Sequence, residues 1–419
     1  MTGPVSTNDG YYYGWVVTTA CFIGTFVIFG VSYSFGVFFE PLAADFDLSR
    51  GATSLVFSVQ TLMIYVGAAL FGGIADRYGV RRVMGAGVVL LALGLLWTSE
   101  ANSITTLGLA YGVVTALGMG LIYVVSYATV PRWFERRRGF ASGLASAGLG
   151  VGMVAVTPVA TLLIARYGWR RAYLALIAGL VALLVVATVL IEDDPRERGV
   201  PASEFPAGYP ETRSRSRGWL EQARDVASIA TGRRFLLVFV SWILIYGTLY
   251  VTLVHLVAHV TDLGLDARVG ALALSIIGAT TAASRAAIGF ASDRLGRSRT
   301  FIGCSTLMAL STFALPVLSS PAGIVAFATV FGAAYGGNGA LLSPLTVDLF
   351  GPDDANALFG VVSLAFAVSG LLAPPLAGAS YDLFGTYTPA FLAAGVAGLV
   401  GAALTGLATW KTDTRSRAA

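Results

Sequence analysis

Long apolar runs divide this chain, and short polar segments separate them. Within the runs apolar and polar positions do not alternate, so the pattern predicts helices and argues against strands. Each run is about 20 residues long, enough to cross a hydrocarbon core of about 30 Å. Helix 1 is predicted over Gly14 to Phe39, helix 2 over Ala52 to Ile74 and helix 3 over Val83 to Thr98. Helices 4, 5 and 6 follow over Ile104 to Val130, Gly139 to Ile164 and Ala172 to Ile191. A polar stretch, Glu192 to Arg234, comes next. Helices 7, 8 and 9 are predicted over Phe235 to Val260, Gly270 to Ser292 and Phe301 to Leu318. Helices 10, 11 and 12 cover Ile324 to Leu349, Leu358 to Ser380 and Thr388 to Trp410. The expected fold is an all-α integral membrane protein of twelve transmembrane helices, six on each side of a linker. Its domains would be an N-terminal bundle over 1–191, a cytoplasmic linker over 192–234 and a C-terminal bundle over 235–419. Within the linker, Trp219 to Val226 has the spacing of a short amphipathic helix lying on the membrane surface.

Composition agrees. The 419 residues are 56% hydrophobic and 12% charged, about half the charged share of a soluble domain. Fifty glycines suit helices that pack closely in lipid. Residues 1–10 hold no Lys or Arg, and the first apolar run is too long for the core of a cleaved leader, so it is kept as helix 1. Cys21 and Cys304 lie far apart in apolar runs and read as small buried hydrophobes, not as a disulfide or metal pair. No cofactor, metal or nucleic acid is expected. The net charge of +4 comes mostly from arginines clustered in short loops, which is a signal of membrane topology.

The two halves repeat at an offset of 217 residues. Gly30 and Tyr33 meet Gly247 and Tyr250, and Asp45 meets Asp262. Gly72, Asp76, Arg77, Gly79 and Arg82 meet Gly289, Asp293, Arg294, Gly296 and Arg299. Pro158 and Gly168 meet Pro375 and Gly385. Parallel repeats of this kind place a binding site at their interface, near the midplane. Arg77, Arg81 and Arg82, then Arg132 to Arg138, then Arg294, Arg297 and Arg299 mark loops on one side of the bilayer. That side and both termini are expected to be cytoplasmic, with the protein multi-pass in the plasma (inner) membrane. Arg166, Arg170 and Arg171 dissent in the 5–6 loop, and the 10–11 loop carries Asp353 and Asp354 with no base.

Arg285 lies in the middle of helix 8, among small and apolar residues. A guanidinium there costs about 2.5–3.5 kcal/mol even on the lenient insertion scale. Such a group normally faces a protein interior or a watery cavity and has an anionic partner. Thr281 and Gly289, one turn either side, supply none. One reading is that the partner is an anionic substrate. The other is a structural arginine held by carbonyls or by an acid on another helix. Arg285 falls opposite Ala68 in the repeat, and His255 opposite Phe38. Positions that break a symmetric scaffold are candidates for contacts with an asymmetric ligand.

Gly72-Gly73-Ile74-Ala75-Asp76-Arg77-Tyr78-Gly79-Val80-Arg81-Arg82, with its second copy over Gly289 to Arg299, resembles the loop signature of the major facilitator superfamily. Asp76, Arg77, Arg81, Asp293, Arg294 and Arg136 are gating or structural candidates, locking helix ends by charge and capping. Trp133 to Gly148 resembles the helix 5 signature of the monocarboxylate transporters and their oxalate–formate antiporter relatives. Asp9 to Trp15 is similar to the start of helix 1 in that family. The resemblance implies that Arg285 holds a substrate carboxylate, and a planar two-pronged donor suits that task. It also implies a second cation in helix 11 for oxalate, and Leu358 to Ser380 has none. Small monocarboxylates such as lactate, pyruvate or acetate remain.

The sequence departs from the animal-type pattern, which implies an aspartate where Thr281 stands and a lysine in helix 1. Both are tied to proton coupling in the family. His255 is the remaining proton-carrying candidate, because histidine titrates near neutrality; His259 is read as interfacial. Further substrate-binding candidates are Tyr33, Tyr65, Tyr123, Tyr335 and Asn338, with Tyr250 beside them. Pro374-Pro375 is expected to break helix 11. The sequence thus predicts a secondary active carrier of small monocarboxylates by alternating access, with proton symport as the coupling. The alternatives are an exporter of drugs or other metabolites, an anion antiporter and a membrane receptor. An enzyme is not expected, since no nucleophile–base pair, metal cluster or phosphate loop is found.

Overall fold

The computed structural model describes residues 12–47, 50–134, 137–195 and 218–416. Among them every regular element is helical. Helices α1 (Gly14–Asp45), α2 (Arg50–Tyr78), α3 (Val80–Ser99) and α4 (Ile104–Trp133) come first. A continuous helical stretch, Arg138–Leu190, then contains one non-helical residue, Gly168, at φ 77° and ψ 163°. That backbone is open to glycine and strained for other residues, so the stretch is two helices, α5 (138–167) and α6 (169–190). A short linker helix covers Trp219–Ala230. The second set is α7 (Arg233–Asp262), α8 (Ala267–Leu295), α9 (Arg297–Ala314), α10 (Pro321–Phe350), α11 (Ala355–Phe384) and α12 (Thr388–Ser416).

The predicted apolar runs lie inside these helices, except for Ile191 after α6 and for 315–318 after α9, where Leu315–Val317 form a short 3-10 turn. The helices are longer than the runs because their polar ends emerge from the hydrocarbon. Local chemistry sets several starts. Ser103 and Thr106 form a capping box ahead of α4, Asp266 accepts from the Arg268 N–H ahead of α8, and Ser320 accepts from the Gly323 N–H ahead of α10. The first half of α4 is wound as a π-helix over Gly108–Thr115. The repeat seen in the sequence has a backbone counterpart. Gly79 and Gly296, 217 positions apart, both turn with φ near 95°, at 98° and 93°. Two expectations change. Helix α11 runs through Pro374 and Pro375 as one helix, since prolines are tolerated where packed neighbours satisfy the freed backbone groups. On the same stretch of α11, the Pro374 carbonyl lies 3.0 Å from His255 Nε2 of α7.

The other concerns the linker helix, which packs on protein. Gln222 is buried, its amide donating to Asp354 Oδ1 at 2.8 Å and lying 3.4 Å from the Gly73 carbonyl of α2. Trp219 meets the Tyr78 hydroxyl at 3.5 Å, and the Arg77 guanidinium lies 5.6 Å over its ring. Asp354 stands just before the first residue of α11, so the helix straps the α2–α11 seam. A buried amide bond to a carboxylate is worth about 1.5–3 kcal/mol, of which the low end is about tenfold. Gln222→Ala is therefore expected to speed amide exchange across 219–230 about tenfold. Unchanged exchange, read by mass spectrometry, would mean that the strap is held elsewhere.

Two backbone-close seams join the first six helices to the last six. On α2–α11, a Cβ at Gly72 would sit 2.9 Å from Ala357 Cα, and one at Gly360 3.0 Å from Ala69 Cα. On α5–α8, a Cβ at Gly139 would lie 2.6 Å from the Gly289 carbonyl oxygen, and one at Gly143 3.3 Å from Ala286 Cα. In lipid such contacts hold helices by packing, with no hydrophobic drive between them.

Candidate functional site

Arg285 sits near the α5–α8 seam and is only 2% exposed. Its Nη1 donates to the Tyr127 hydroxyl at 3.4 Å, and its Cζ lies 5.7 Å from the centre of the Tyr335 ring. Its Nε makes no hydrogen bond. Among the described residues no carboxylate pairs with it. Tyr127 belongs to α4 and Arg285 to α8, so this contact spans the two sets of helices. A buried cation with an unpaired donor and phenols around it can seat an anion: it offers charge and direction, while neutral hydroxyls add hydrogen bonds.

The guanidinium opens on a cavity of ≈ 40 Å³. One water needs about 10–15 Å³ on the same measure, so the space takes a few waters or a small acid. Tyr33, Tyr65, Tyr123, Tyr127, Tyr246, Tyr250 and Tyr335 line it, with Phe29 and Phe366 as apolar wall. Every charged or titratable side chain in that lining is Arg285 or a tyrosine. Tyr123 meets Ser363 Oγ of α11 at 3.5 Å, a second polar contact across the interface. Tyr65 stacks on Phe366 at 5.2 Å, and Tyr33 on Phe29 at 6.0 Å.

Arg285 and the candidate tyrosines 33, 65, 123 and 335 therefore meet at one place, and Tyr250 joins them. Asn338 stands outside the lining: its oxygen accepts from Tyr246, and its nitrogen donates to Ser305 Oγ at 2.6 Å. With both ends engaged, its amide has structural work within the C-terminal helices. His255 is also outside the lining, against Pro374 and the Tyr387 ring, whose centre is 4.9 Å away. His259 is buried one turn on, beside Phe391. The residues passed over were Tyr127 and Tyr246. Each stands four positions from a tyrosine already considered, Tyr123 and Tyr250, and so shares its helix face; that spacing was the available signal.

The loop motifs close the arginine-rich end below the cavity. Asp76 accepts from the Ala357 N–H at 2.9 Å, from Asn356 Nδ2 at 2.7 Å and from Arg132. Asp293 does the same for α5, accepting from the Gly139 and Phe140 N–H groups at 2.8 and 3.0 Å, and from Arg297 at 3.1 Å. Each carboxylate thus fills the exposed donors at the start of a helix in the other half, where the helix dipole favours negative charge. Asp348 ties Arg138 at 2.5 Å and Arg297 at 2.6 Å. Arg81 reaches Glu192 at 2.9 Å and the Ile191 carbonyl, within the first half and its linker. Arg77 lies over Trp219, and Arg294 lies 4.7 Å over the Phe290 ring. Arg136 falls outside the described residues.

The Major Facilitator Superfamily profile matches residues 21–289 and 256–419. The chain is 30% identical over 392 residues to monocarboxylate transporter 13 of Bos taurus, covering 93% of this chain and 88% of that one. It is 33% identical over 388 residues to monocarboxylate transporter 3 of Rattus norvegicus, covering 91% and 77%. Its fold resembles that of the transporter FucP in the outward conformation, with a TM-score of 0.74 at 13% identity over 94% of this chain and 99% of that one. It also resembles the human organic anion transporter MFSD10, with a TM-score of 0.71 at 16% identity over 94% and 99%. The two six-helix bundles are those of this fold, and the protein is a multi-pass secondary transporter. The chain belongs to the major facilitator superfamily and, within it, to the family of the monocarboxylate transporters.

Proposed function

We propose that this carrier moves small monocarboxylates of the lactate, pyruvate or acetate type across the plasma membrane by alternating access. The arginine-rich end and both termini face the cytoplasm in this reading. One observation carries it: a fully buried guanidinium, without a carboxylate partner among the described residues, opening on a small phenol-lined cavity between the bundles. A single cation suits a monoanion. The relatives named as monocarboxylate transporters support the substrate class.

Proton symport is the first coupling considered. Anion exchange is favoured by a separate observation, that among the described residues no Asp, Glu or His lines the cavity. Without a proton acceptor at the site, the occupant anion itself neutralises Arg285 while the carrier closes. The test is uptake of labelled lactate and acetate into proteoliposomes holding the purified protein. Liposomes are compared with and without an inward proton gradient, and with and without unlabelled acid inside. Gradient-driven accumulation in empty liposomes supports symport. Uptake only against internal acid supports exchange. No flux of either acid under any condition would overturn the monocarboxylate reading.

A further inference from the structure

Glycines 332, 336 and 339 lie on one face of α10, toward α8. The first two are needed by the backbone. A Cβ at Gly332 would sit 2.8 Å from Ile277 Cα, and one at Gly336 2.9 Å from Thr281 Cα. Gly339 is different. The three atoms nearest to a Cβ there are all guanidinium atoms of Arg285: Nη2 at 2.7 Å, Cζ at 3.0 Å and Nη1 at 3.3 Å. Ordinary contacts begin near 3.4 Å. The guanidinium therefore lies against the bare Cα of α10. Gly339 sits inside a regular helix and outside the positive-φ set, so its conformation does not require glycine. Alanine is the better helix former there. What glycine gives at 339 is room for the cation.

We infer that Gly339 is a specificity-determining residue that sets the depth of the anion seat, and thereby the length of acid the cavity accepts. The inference rests on the proposal that Arg285 binds the substrate carboxylate. Arg285 and Gly339 line the same cavity, with the Tyr127 hydroxyl on the guanidinium at 3.4 Å. A methyl at 339 pushes the cation away from α10 by several tenths of an ångström. The carboxylate held on it moves the same way, and the tail meets the far wall sooner. In a cavity of ≈ 40 Å³ this penalises each added methylene, whereas the shortest acid still fits.

The experiment measures half-saturation for formate, acetate, propionate and butyrate in proteoliposomes, for wild type and Gly339→Ala. The ratio of butyrate to acetate half-saturation is expected to rise about tenfold, the low end of discrimination by a methylene or two, with formate changed least. Gly339→Ser is read in parallel, as a second side chain of similar size, in case the alanine variant is not recovered from the membrane. Gly336→Ala, which meets backbone, is expected to lower rates at all lengths without shifting the ratio. An equal change at all four lengths, no change, or the same ratio shift in Gly336→Ala would overturn the inference. Wild type that carries none of the four acids removes the underlying proposal as well. Wild type that carries them, with an unshifted ratio in the variants, removes this inference alone.

Discussion

Arg285→Ala is expected to cut carboxylate transport by about 30- to 5000-fold, while the protein still inserts and folds. The side chain is fully buried, so its loss removes a charge rather than a surface contact. Removing one partner of a desolvated charge pair costs about 2–5 kcal/mol, which is about 30- to 5000-fold in affinity. Folding should tolerate the change better than binding does, because among the described residues the guanidinium holds a long bond to Tyr127 and no carboxylate. Arg285→Lys separates charge from geometry. Lysine keeps the cation but offers a point charge in place of a planar fork. It is expected to recover part of the affinity and less than a tenth of the wild-type ratio of maximal rate to half-saturation concentration. Uptake assays on both variants, with helical content checked by circular dichroism, give the answer. Full transport in Arg285→Ala would make the arginine structural and revive the exporter alternative.

The second large effect concerns the α5–α8 seam. Gly289→Leu is expected to stop transport by preventing closure of the arginine-rich end. A Cβ at 289 already lies 3.0 Å from the Gly139 carbonyl carbon and 3.4 Å from Phe140 Cα. Backbone cannot yield as a flexible side chain does, so a leucine must force the helices apart. That separation also pulls Asp293 from the Gly139 and Phe140 N–H groups. Freeing several charge-assisted bonds costs about 1.5–3 kcal/mol each, enough to move the conformational balance by more than a hundredfold. The readout is labelling of a single cysteine placed near Gly143, in a variant lacking Cys21 and Cys304. Labelling from the arginine-rich side should rise while flux falls. Normal flux with unchanged labelling would show that the seam has slack.

Much of this architecture was legible in the chain. Twelve apolar runs fixed the helices, because every backbone group in lipid must be satisfied inside its own segment. The 217-residue offset exposed the repeat, and Arg285 stood out because a charge at mid-span is costly. What was not legible depended on partners far away in sequence. Asn338 looked like a ligand donor until Tyr246 and Ser305 occupied it. His255 looked like a proton carrier, yet its helix face turns to α11 and not to the cavity. The linker helix had an amphipathic pattern that fits lipid and protein equally well. Only the burial of Gln222 tells the two apart. Tyr127 was legible by a simpler signal, its place four residues after Tyr123 on the same helix face.

The carboxylate locks at one end bear on kinetics as well as on structure. Asp76 and Asp293 are nearly sealed from water, with 1% and 8% of their side chains exposed, so added salt does little to loosen them. A carrier that rests in this form presents its seat mainly to the opposite face. Apparent affinity is the intrinsic affinity scaled by the fraction of molecules in the competent form. Substrate arriving at that face should therefore half-saturate the protein at lower concentration than substrate arriving at the locked one. Thermodynamics still requires a single equilibrium distribution, so the locked face must compensate with a higher maximal rate. The same protein would then work as a sensitive scavenger in one direction and a high-capacity overflow in the other.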